Sequence, residues 1–165
     1  MRVLAIDPGF GRCGIAVLEK NPKRDLVIYS DCIETPASAS FPERLAIILA
    51  VCEAALRTHR PDCLAMEKLY FKANRTTALK VAEVRGAIIA LAGSAGLPFS
   101  EYSPAEVKSA TAGYGKADKK QIAAMVRVLV SMEKEKCLDD EYDAIAVGIT
   151  HLASAREFIA PLRAA

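Results

Sequence analysis

Residues 3–18 read VLAIDPGFGRCGIAVL, two apolar runs on either side of a segment rich in Pro and Gly. Short apolar runs bounded by turn-forming residues are typical of buried β-strands. We predict strands over residues 2–6 and 13–18, joined through a turn at residues 7–11, and a third strand over residues 26–30. Three consecutive strands with short connections favour an antiparallel meander at the start of the fold.

Helix-capping signatures and apolar periodicity organise the rest of the chain. Ser40-x-x-Glu43 is a capping box, and Ser103-Pro104-x-Glu106 combines an N-cap with Pro at the first helical position. We predict strands at residues 63–66 and 97–102, and helices at about residues 40–58, 76–92, from 104 onward, 118–132 and 140–159. Strands that alternate with helices after the meander predict an α/β fold, a mixed five-stranded sheet flanked by helices.

Length and composition indicate one globular domain spanning residues 1–165. Hydrophobic residues make up 52% of the chain and charged residues 25%, a balance that can bury a real core at this length. The longest apolar runs fall short of the roughly 18–20 residues that a membrane-spanning helix needs. Arg2 leads straight into a predicted strand with no signal peptide, so we expect a cytoplasmic protein with no membrane partner.

The five cysteines argue against a zinc site and against a disulfide framework. They are widely spaced, contain no Cys-x-x-Cys pair and are accompanied by only two histidines, which is the pattern of core thiols in a reducing compartment. Charge is unevenly distributed, because residues 67–127 hold ten Lys and Arg against five acids. The positive field is therefore concentrated in the central third of the chain.

Four carboxylates lie where apolar segments begin or end. Asp7 and Glu67 close two predicted strands, and Asp140 and Asp143 open the last predicted helix. A charged group at the end of a buried strand loses hydration and needs a partner or a cation. If the two strands pair and the helix packs across them, the acids meet at one end, as a two-metal phosphoryl-transfer site requires. Helical spacing alone allows either Asp139 or Asp140 to share a face with Asp143.

Motifs along almost the whole chain resemble those of the RuvC family of Holliday-junction resolvases. They are, in order, Ile6-Asp7-Pro8-Gly9 with Gly14, Ala65-Met66-Glu67-Lys68-Leu69-Tyr70-Phe71-x-x-Asn74, Val107-Lys108, Gly115-x-x-x-Lys119 with Met125-Val126-Arg127, and Asp140-x-x-Asp143-Ala144-x-Ala146 with Thr150-His151. The resemblance implies an RNase H-like fold and an endonuclease that resolves four-way DNA junctions by paired symmetric nicks in homologous recombination and DNA repair. It also implies a catalytic and metal-binding set of Asp7, Glu67, Asp140 and Asp143, which leaves Asp139 as a neighbouring charge or cap.

The same resemblance implies a set of DNA-binding residues. Lys108 and Lys119 match family positions associated with the DNA backbone near the scissile phosphate. Tyr70 is expected to stack on an unpaired base at the junction, with Phe71 packing inward as the alternative assignment of the two aromatic rings. Further phosphate contacts are predicted more weakly for Lys72, Arg75, Lys116 and Lys120, and also for Lys68 and Lys80.

The resemblance also implies a cofactor and partners. We expect two Mg2+ ions per active site, with Mn2+ able to substitute, a four-way DNA junction as substrate, a homodimer, and a branch-migration motor complex as a further partner. A two-fold dimer suits a junction with two equivalent strands to cut. The helix at residues 76–92 is the candidate interface, with ordinary core packing as its alternative, and His151 is interpreted as structural or surface-exposed.

Several alternatives compete with this interpretation. Asp7 before Pro-Gly is also a common turn residue, and Asp140 is also a helix N-cap. An RNase H-like nuclease of the YqgF type, acting on RNA, would share the first motif. A non-catalytic junction-binding protein would be expected to lack one of the acids, and an actin-like ATPase would need two such domains and a longer chain.

Overall fold

The computed structural model describes residues 1–69 and 75–154, except for the side chains of residues 75 and 76. Within these residues six strands form one sheet in the order β5-β4-β1-β2-β3-β6. The strands are β1 (Arg2–Asp7), β2 (Arg12–Glu19), β3 (Asp25–Glu34), β4 (Cys63–Glu67), β5 (Phe99–Tyr102) and β6 (Val130–Ser131).

The sheet is mixed, as predicted. Strands β1, β2 and β3 pair antiparallel, while β4 pairs parallel to β1, β5 to β4, and β6 to β3. The predicted number of five strands is wrong by one, because β6 was missed. A strand of two residues directly after a helix is too short to show the alternation by which strands are recognised in a sequence.

Five helices flank this sheet in the described part of the chain: α1 (Phe41–His59), α2 (Arg75–Ser94), α3 (Pro104–Ala112), α4 (Lys119–Leu129) and α5 (Asp139–Ser154). Capping boxes open three of them. The Glu43 carboxylate accepts a hydrogen bond from the Ser40 amide at 2.7 Å, and the corresponding pairs begin α3 and α4. The predicted continuation of the last helix to residue 159 lies outside the described residues.

The sheet separates two hydrophobic clusters because successive strand residues point to opposite faces. Val3 and Ala5 pack with α3, α4 and α5 on one face. Leu4 and Ile6 pack with α1 and α2 on the other face. All five cysteines, each within the described residues, are unpaired thiols, as predicted. In the same residues no helix is long and apolar enough to cross a membrane.

Helix α5 lies unusually close to the first two strands. A Cβ atom at Gly14 would be 1.8 Å from the backbone oxygen of Asp140, and one at Gly148 would be 2.4 Å from a methyl group of Leu18. Only glycine fits such a separation without displacing the helix. The two glycines therefore allow α5 to cross the sheet in direct contact, with its first turn beside the end of β1.

Candidate active site

The sheet brings Asp7 and Glu67 to the same edge. Asp7 is the last residue of β1 and Glu67 the last of β4, and the two strands run parallel with Ile6 opposite Met66. The first turn of α5 reaches this edge and contributes Asp143. All three acids line an open cleft of about 450 Å³, so the expected meeting of strand acids and helix acids occurs.

The Asp7 carboxyl is in an environment that opposes its negative charge. Burial raises its pKa most, the charges of Asp143, Glu67 and Asp140 raise it further, and Lys119 only partly offsets them, so the pKa reaches about 8. A carboxyl with this environment at neutral pH is stabilised as an anion only by added positive charge. The arrangement therefore creates a demand for a cation at the cleft.

Lys119 on α4 supplies part of that positive charge. Its ammonium lies 3.3 Å from an oxygen of Asp143 and 3.8 Å from one of Asp139. Burial raises the pKa of Asp143, with a contribution from Asp140, although the hydrogen bond from Lys119 opposes the rise. Partial desolvation works against the charge of Lys119, but the three surrounding aspartates raise its pKa overall.

The structure separates Asp139 from Asp140, which helical spacing could not do. The Asp140 side chain is 18% exposed, and one of its carboxylate oxygens forms an ion pair with the Nε of Arg12 at 3.0 Å. The Asp139 side chain is 67% exposed. The charge of Asp140 is one of those that raise the pKa of Asp7. The geometry therefore favours Asp140 as the fourth member of the acid cluster, because it is the more enclosed of the two aspartates and acts on Asp7, although it does not itself line the cleft.

The chemistry of these side chains fits a hard divalent cation. Four carboxylates offer only oxygen ligands, which Mg2+ and Mn2+ prefer. In the side-chain positions described for residues 1–69 and 75–154, no three His, Cys, Asp or Glu residues are grouped tightly enough to hold a metal ion. Arg12 and Lys119 are instead the cationic partners of Asp140 and Asp143. The site thus offers oxygen ligands of the kind that a divalent metal takes, with Arg12 and Lys119 paired to two of the acids and Lys68 and Lys108 also lining the cleft.

Arg85 supports the strand end that carries Glu67, a role that the sequence analysis did not predict. It lies on α2, is only 8% exposed, donates to the backbone oxygen of Glu67 and forms an ion pair with Glu101. A buried arginine with two acceptors rigidly links a helix to a strand. The available signal was its place between the core residues Val84 and Ile88, where a solvated arginine is unusual.

The predicted DNA-binding lysines fall into two groups. Lys108, Lys119 and Lys68 line the cleft with the acids. Lys116 lies between α3 and α4, and Lys120 lies at the start of α4. Both are exposed and outside the lining of the cleft. Tyr70, Phe71 and Lys72 lie outside the described residues, and Arg75 is described only as the first residue of α2. The choice between Tyr70 and Phe71 as the stacking residue therefore stays a prediction.

His151 is structural rather than exposed. It is 2% exposed, its Nε2 lies 3.1 Å from the Cys63 sulfur, and its Nδ1 lies 2.9 Å from the hydroxyl of Tyr102. Burial lowers the pKa of His151 and raises that of Cys63 to about 11. Both groups are therefore neutral partners near neutral pH, and the ring links α5 to β4 and β5.

Comparisons with known proteins show which family this chain resembles. The chain matches the family model described as Crossover junction endodeoxyribonuclease RuvC over residues 3–151. It is 41% identical over 154 residues to the protein of that name from Desulfitobacterium hafniense, with 93% of each chain covered. It is 43% identical over 149 residues to the one from Heliobacterium modesticaldum, with 90% of this chain and 92% of the relative covered. Among solved structures, T. thermophilus RuvC in complex with Holliday junction substrate superposes with a TM-score of 0.84 at 32% identity, covering 92% of each chain.

Proposed function

This chain belongs to the RuvC family of crossover junction endodeoxyribonucleases, and from that premise we propose that Asp7, Glu67, Asp140 and Asp143 are its catalytic, metal-binding carboxylates. The chain has the RNase H-like fold of the family and is a nuclease that resolves Holliday junctions in recombination and repair. The observation that carries the assignment of residues is the half-buried Asp7, surrounded by three further acids at an open cleft.

The family depends on divalent metal ions, and we propose Mg2+ as the ion used here, two per site, with Mn2+ able to substitute. Bound ions of this kind activate a water for in-line attack on a phosphodiester and stabilise the leaving oxygen. Asp7 and Glu67 would hold them from the rigid sheet edge, and Asp140 and Asp143 from the first turn of α5. The hard oxygen ligands and the raised pKa of Asp7 support this proposal.

Lys119 and Lys108 are proposed to act on the DNA phosphates. Both line the cleft beside the acids, where an ammonium group can pair with a phosphate oxygen and stabilise the extra charge of the transition state. As DNA and metal enter, Lys119 would exchange its contact with Asp143 for one with phosphate. The exposed Lys116 and Lys120, together with Lys72 and Arg75, are proposed to contact the backbone of the junction arms.

Tyr70 is proposed to stack on an unpaired base at the junction centre, with Phe71 as the alternative. Both residues follow Glu67 closely in the chain, so a base held there would be near the acids. Replacement of the stacking residue by Ala should reduce cleavage about tenfold or more, because base stacking on an aromatic ring is worth about 1–3 kcal/mol. Parallel Tyr70→Ala and Phe71→Ala variants distinguish the two, since only one should retain junction binding while losing cleavage.

A homodimer through helix α2 is proposed because a four-way junction presents two equivalent strands. The inward residues Val84 and Ile88 pack in the core of this chain, so the predicted apolar stripe is largely core packing. The outward face instead carries exposed positions at heptad-like spacing, namely Leu79, Glu83, Gly86, Ala90 and Gly93. Gly86 and Gly93 have open space where a Cβ would stand, which would let a second helix approach closely.

The dimer proposal has a direct test. Gly86→Glu should leave the monomer folded, because nothing lies within 4 Å of the new Cβ, but should place two like charges at the two-fold axis. Light scattering after size-exclusion chromatography should then report a monomer, while Ala46→Glu on the exposed face of α1 remains a dimer. A dimeric Gly86→Glu protein would move the interface elsewhere.

A branch-migration motor as further partner and a cytoplasmic location with the DNA are also proposed, since both follow from the substrate.

The activity is tested by mapping nicks on a labelled synthetic four-way junction, with Mg2+ or with EDTA. Linear duplex and an RNA–DNA hybrid of matched sequence serve as control substrates. We expect paired symmetric nicks on the junction alone, lost in Glu67→Gln and retained in Glu53→Gln, whose acid lies on the exposed surface of α1. Cleavage of the hybrid would favour a YqgF-type nuclease acting on RNA, and binding without nicks would favour a non-catalytic junction-binding protein.

A further inference from the structure

Glu141 is a buried carboxylate between two acids of the proposed metal site. It is 1% exposed, although the nearby Asp143 lines the cleft and the charge of the neighbouring Asp140 acts on Asp7. Successive residues of a helix point about 100° apart, so Glu141 faces away from the cleft, toward β3. None of the expectations from motif or spacing assigns this residue a role.

The Glu141 carboxylate is held by three residues from two segments of the chain. One oxygen accepts from the hydroxyl of Ser30 on β3 at 2.6 Å and from the ammonium of Lys134 at 2.8 Å. The other oxygen accepts from Lys134 at 3.0 Å and from the backbone amide of Leu138 at 3.3 Å. Burial opposes the charge of this carboxylate, yet these hydrogen bonds hold its pKa below the ordinary value. A buried anion with several donors is strongly restricted in position.

The contacts of Glu141 restrain the first turn of α5 in a way that the apolar contacts of the helix do not. Ser30 ties the turn to the sheet, and Lys134 and Leu138 tie it to the segment that leads into the helix. The backbone oxygen of Asp140 also lies against Gly14 on the neighbouring strand β2. The turn is thus held at two points on the sheet and by the segment that precedes the helix, which limits rotation about the helix axis as well as sliding along it.

We propose that Glu141 is a positioning residue that sets the place of the Asp140 and Asp143 carboxylates relative to Asp7, and thereby the affinity of the site for divalent metal. The inference rests on the proposed metal-binding role of those acids. Metal ligands must be held within about 0.5 Å of their productive positions, and loss of a residue that orients ligands typically costs about 10–100-fold in metal affinity. Lys134 acts with Glu141 because it neutralises the buried charge.

Two variants remove the ion pair between Glu141 and Lys134, each by changing one of the two residues. Glu141→Gln keeps the size of the side chain but removes the ionic bond, and Lys134→Met removes the same bond without altering α5. We expect each variant to weaken the binding of Mn2+ to the full-length protein about tenfold, measured by titration calorimetry without DNA. The Mg2+ concentration that gives half-maximal junction cleavage should rise by a similar factor, and junction affinity in EDTA should stay within about twofold of wild type.

The control separates positioning from stability. Ile48→Val trims a fully buried side chain of α1 that packs on the opposite face of the sheet, so it should lower Tm without changing Mn2+ affinity. The double variant Glu141→Gln/Lys134→Met should bind Mn2+ at least as tightly as whichever single variant binds it less well. The two changes remove the same interaction, so their effects should not add.

Two results would overturn the proposal. Unchanged Mn2+ affinity in Lys134→Met, or in a folded Glu141→Gln, would leave this ion pair a stability feature alone. If Asp7→Asn binds Mn2+ as tightly as wild type, the proposed metal site itself is wrong and the inference falls with it. That outcome is distinguishable, because wild type and Asp7→Asn are compared before any Glu141 variant is considered.

Discussion

The two ends of helix α5 bury polar groups in opposite ways. At its N-terminal end Asp140 and Asp143 add negative charge around the half-buried Asp7, and burial and repulsion together raise the Asp7 pKa to about 8. Eight residues after Asp143, a distance of about 12 Å along the helix, His151 is buried but neutral. Both of its ring nitrogens have partners, the Cys63 thiol and the Tyr102 hydroxyl.

The difference shows where this fold holds unfavourable electrostatics. The His151 end obeys the rule that buried polar groups are hydrogen-bonded, so it contributes to stability. The Asp7 end concentrates acids that only a cation can relieve, and the basic partners Arg12 and Lys119 balance two of them. Sites that bind metal or substrate commonly sacrifice stability in this way. One helix therefore anchors the sheet at one end and presents the reactive acids at the other.

The largest contrast between the two ends should appear in the cleavage rate. Asp7→Asn should lower the single-turnover rate of junction cleavage about 10³-fold or more, because a metal-ligand contribution of several kcal/mol corresponds to that factor. Tyr102→Phe, at the neutral end, should change the rate less than about threefold. Rates measured with excess enzyme and Mg2+ give both values. Equal loss in the two variants would mean that the neutral network also serves the chemistry.

The second contrast concerns stability and pH without metal. Because the folded pKa of Asp7 lies above its unfolded value of 3.8, the folded state retains a proton that the unfolded state has lost. Stability should therefore fall as pH rises from about 4 to about 8, by on the order of 5 kcal/mol at most, since one pKa unit is worth about 1.4 kcal/mol. Urea unfolding in EDTA at several pH values tests this dependence.

Asp7→Asn provides the control for that titration. The variant cannot ionise at position 7, so its stability should vary less between pH 5 and pH 8 than that of wild type, and millimolar Mg2+ should stabilise it less. In wild type, Mg2+ should restore much of the stability lost at high pH. Parallel pH curves for the two proteins in EDTA would contradict the charge distribution described for the cleft.

A third contrast compares two neighbouring lysines at the start of α4. Lys119→Met should lower cleavage about 10–100-fold, because this ammonium lies within the cleft, 3.3 Å from Asp143. Lys120→Met should lower cleavage less than about threefold, since its side chain is exposed outside the cleft. Both should weaken junction binding modestly and to a similar degree. A cleavage defect as large in Lys120→Met would place the catalytic charge elsewhere.

The smallest effect is expected at the neutral end of α5. Tyr102→Phe should reduce the free energy of unfolding by about 1–2 kcal/mol, because it leaves a buried nitrogen of His151 without its partner. Tyr114→Phe should cost less than about 0.5 kcal/mol, since its hydroxyl contacts Gln121 at an exposed position. Urea unfolding at pH 7 measures both.

The same histidine adds a dependence on pH that is opposite in sign to that of Asp7. Burial lowers the folded pKa of His151, so the unfolded state takes up a proton near pH 6.5 while the folded state resists it. The stabilising contribution is present above pH 6.5 and is lost as pH falls below it. Urea unfolding of Asp7→Asn in EDTA, where the opposite dependence is removed, should show this loss of stability below pH 6.5. An increase in the stability of that variant on acidification through the same range would contradict the neutral network.

Local features of the sequence were sufficient for much of the fold. Short apolar runs bounded by turn residues predicted the meander of β1, β2 and β3, and the capping signatures at Ser40 and Ser103 marked the starts of α1 and α3. Both signals depend on residues a few positions apart in the chain, so they can be recognised without knowing which distant residues pack against them. Strand β6 had no such signal, because two residues paired to Asp25 and Leu26 form a strand only through their distant neighbour.

The acid set was also visible in the sequence, because Asp7 and Glu67 close apolar strands and Asp140 and Asp143 share a motif with the family. The roles of Arg12, Arg85 and Glu141 were not visible, because each depends on a partner brought near by folding. Ser30 and Glu141, for example, are 111 residues apart in the chain. Helical spacing alone could not choose between Asp139 and Asp140 either. That choice depends on how α5 is rotated where it crosses Gly14, and the rotation is set by packing against the sheet.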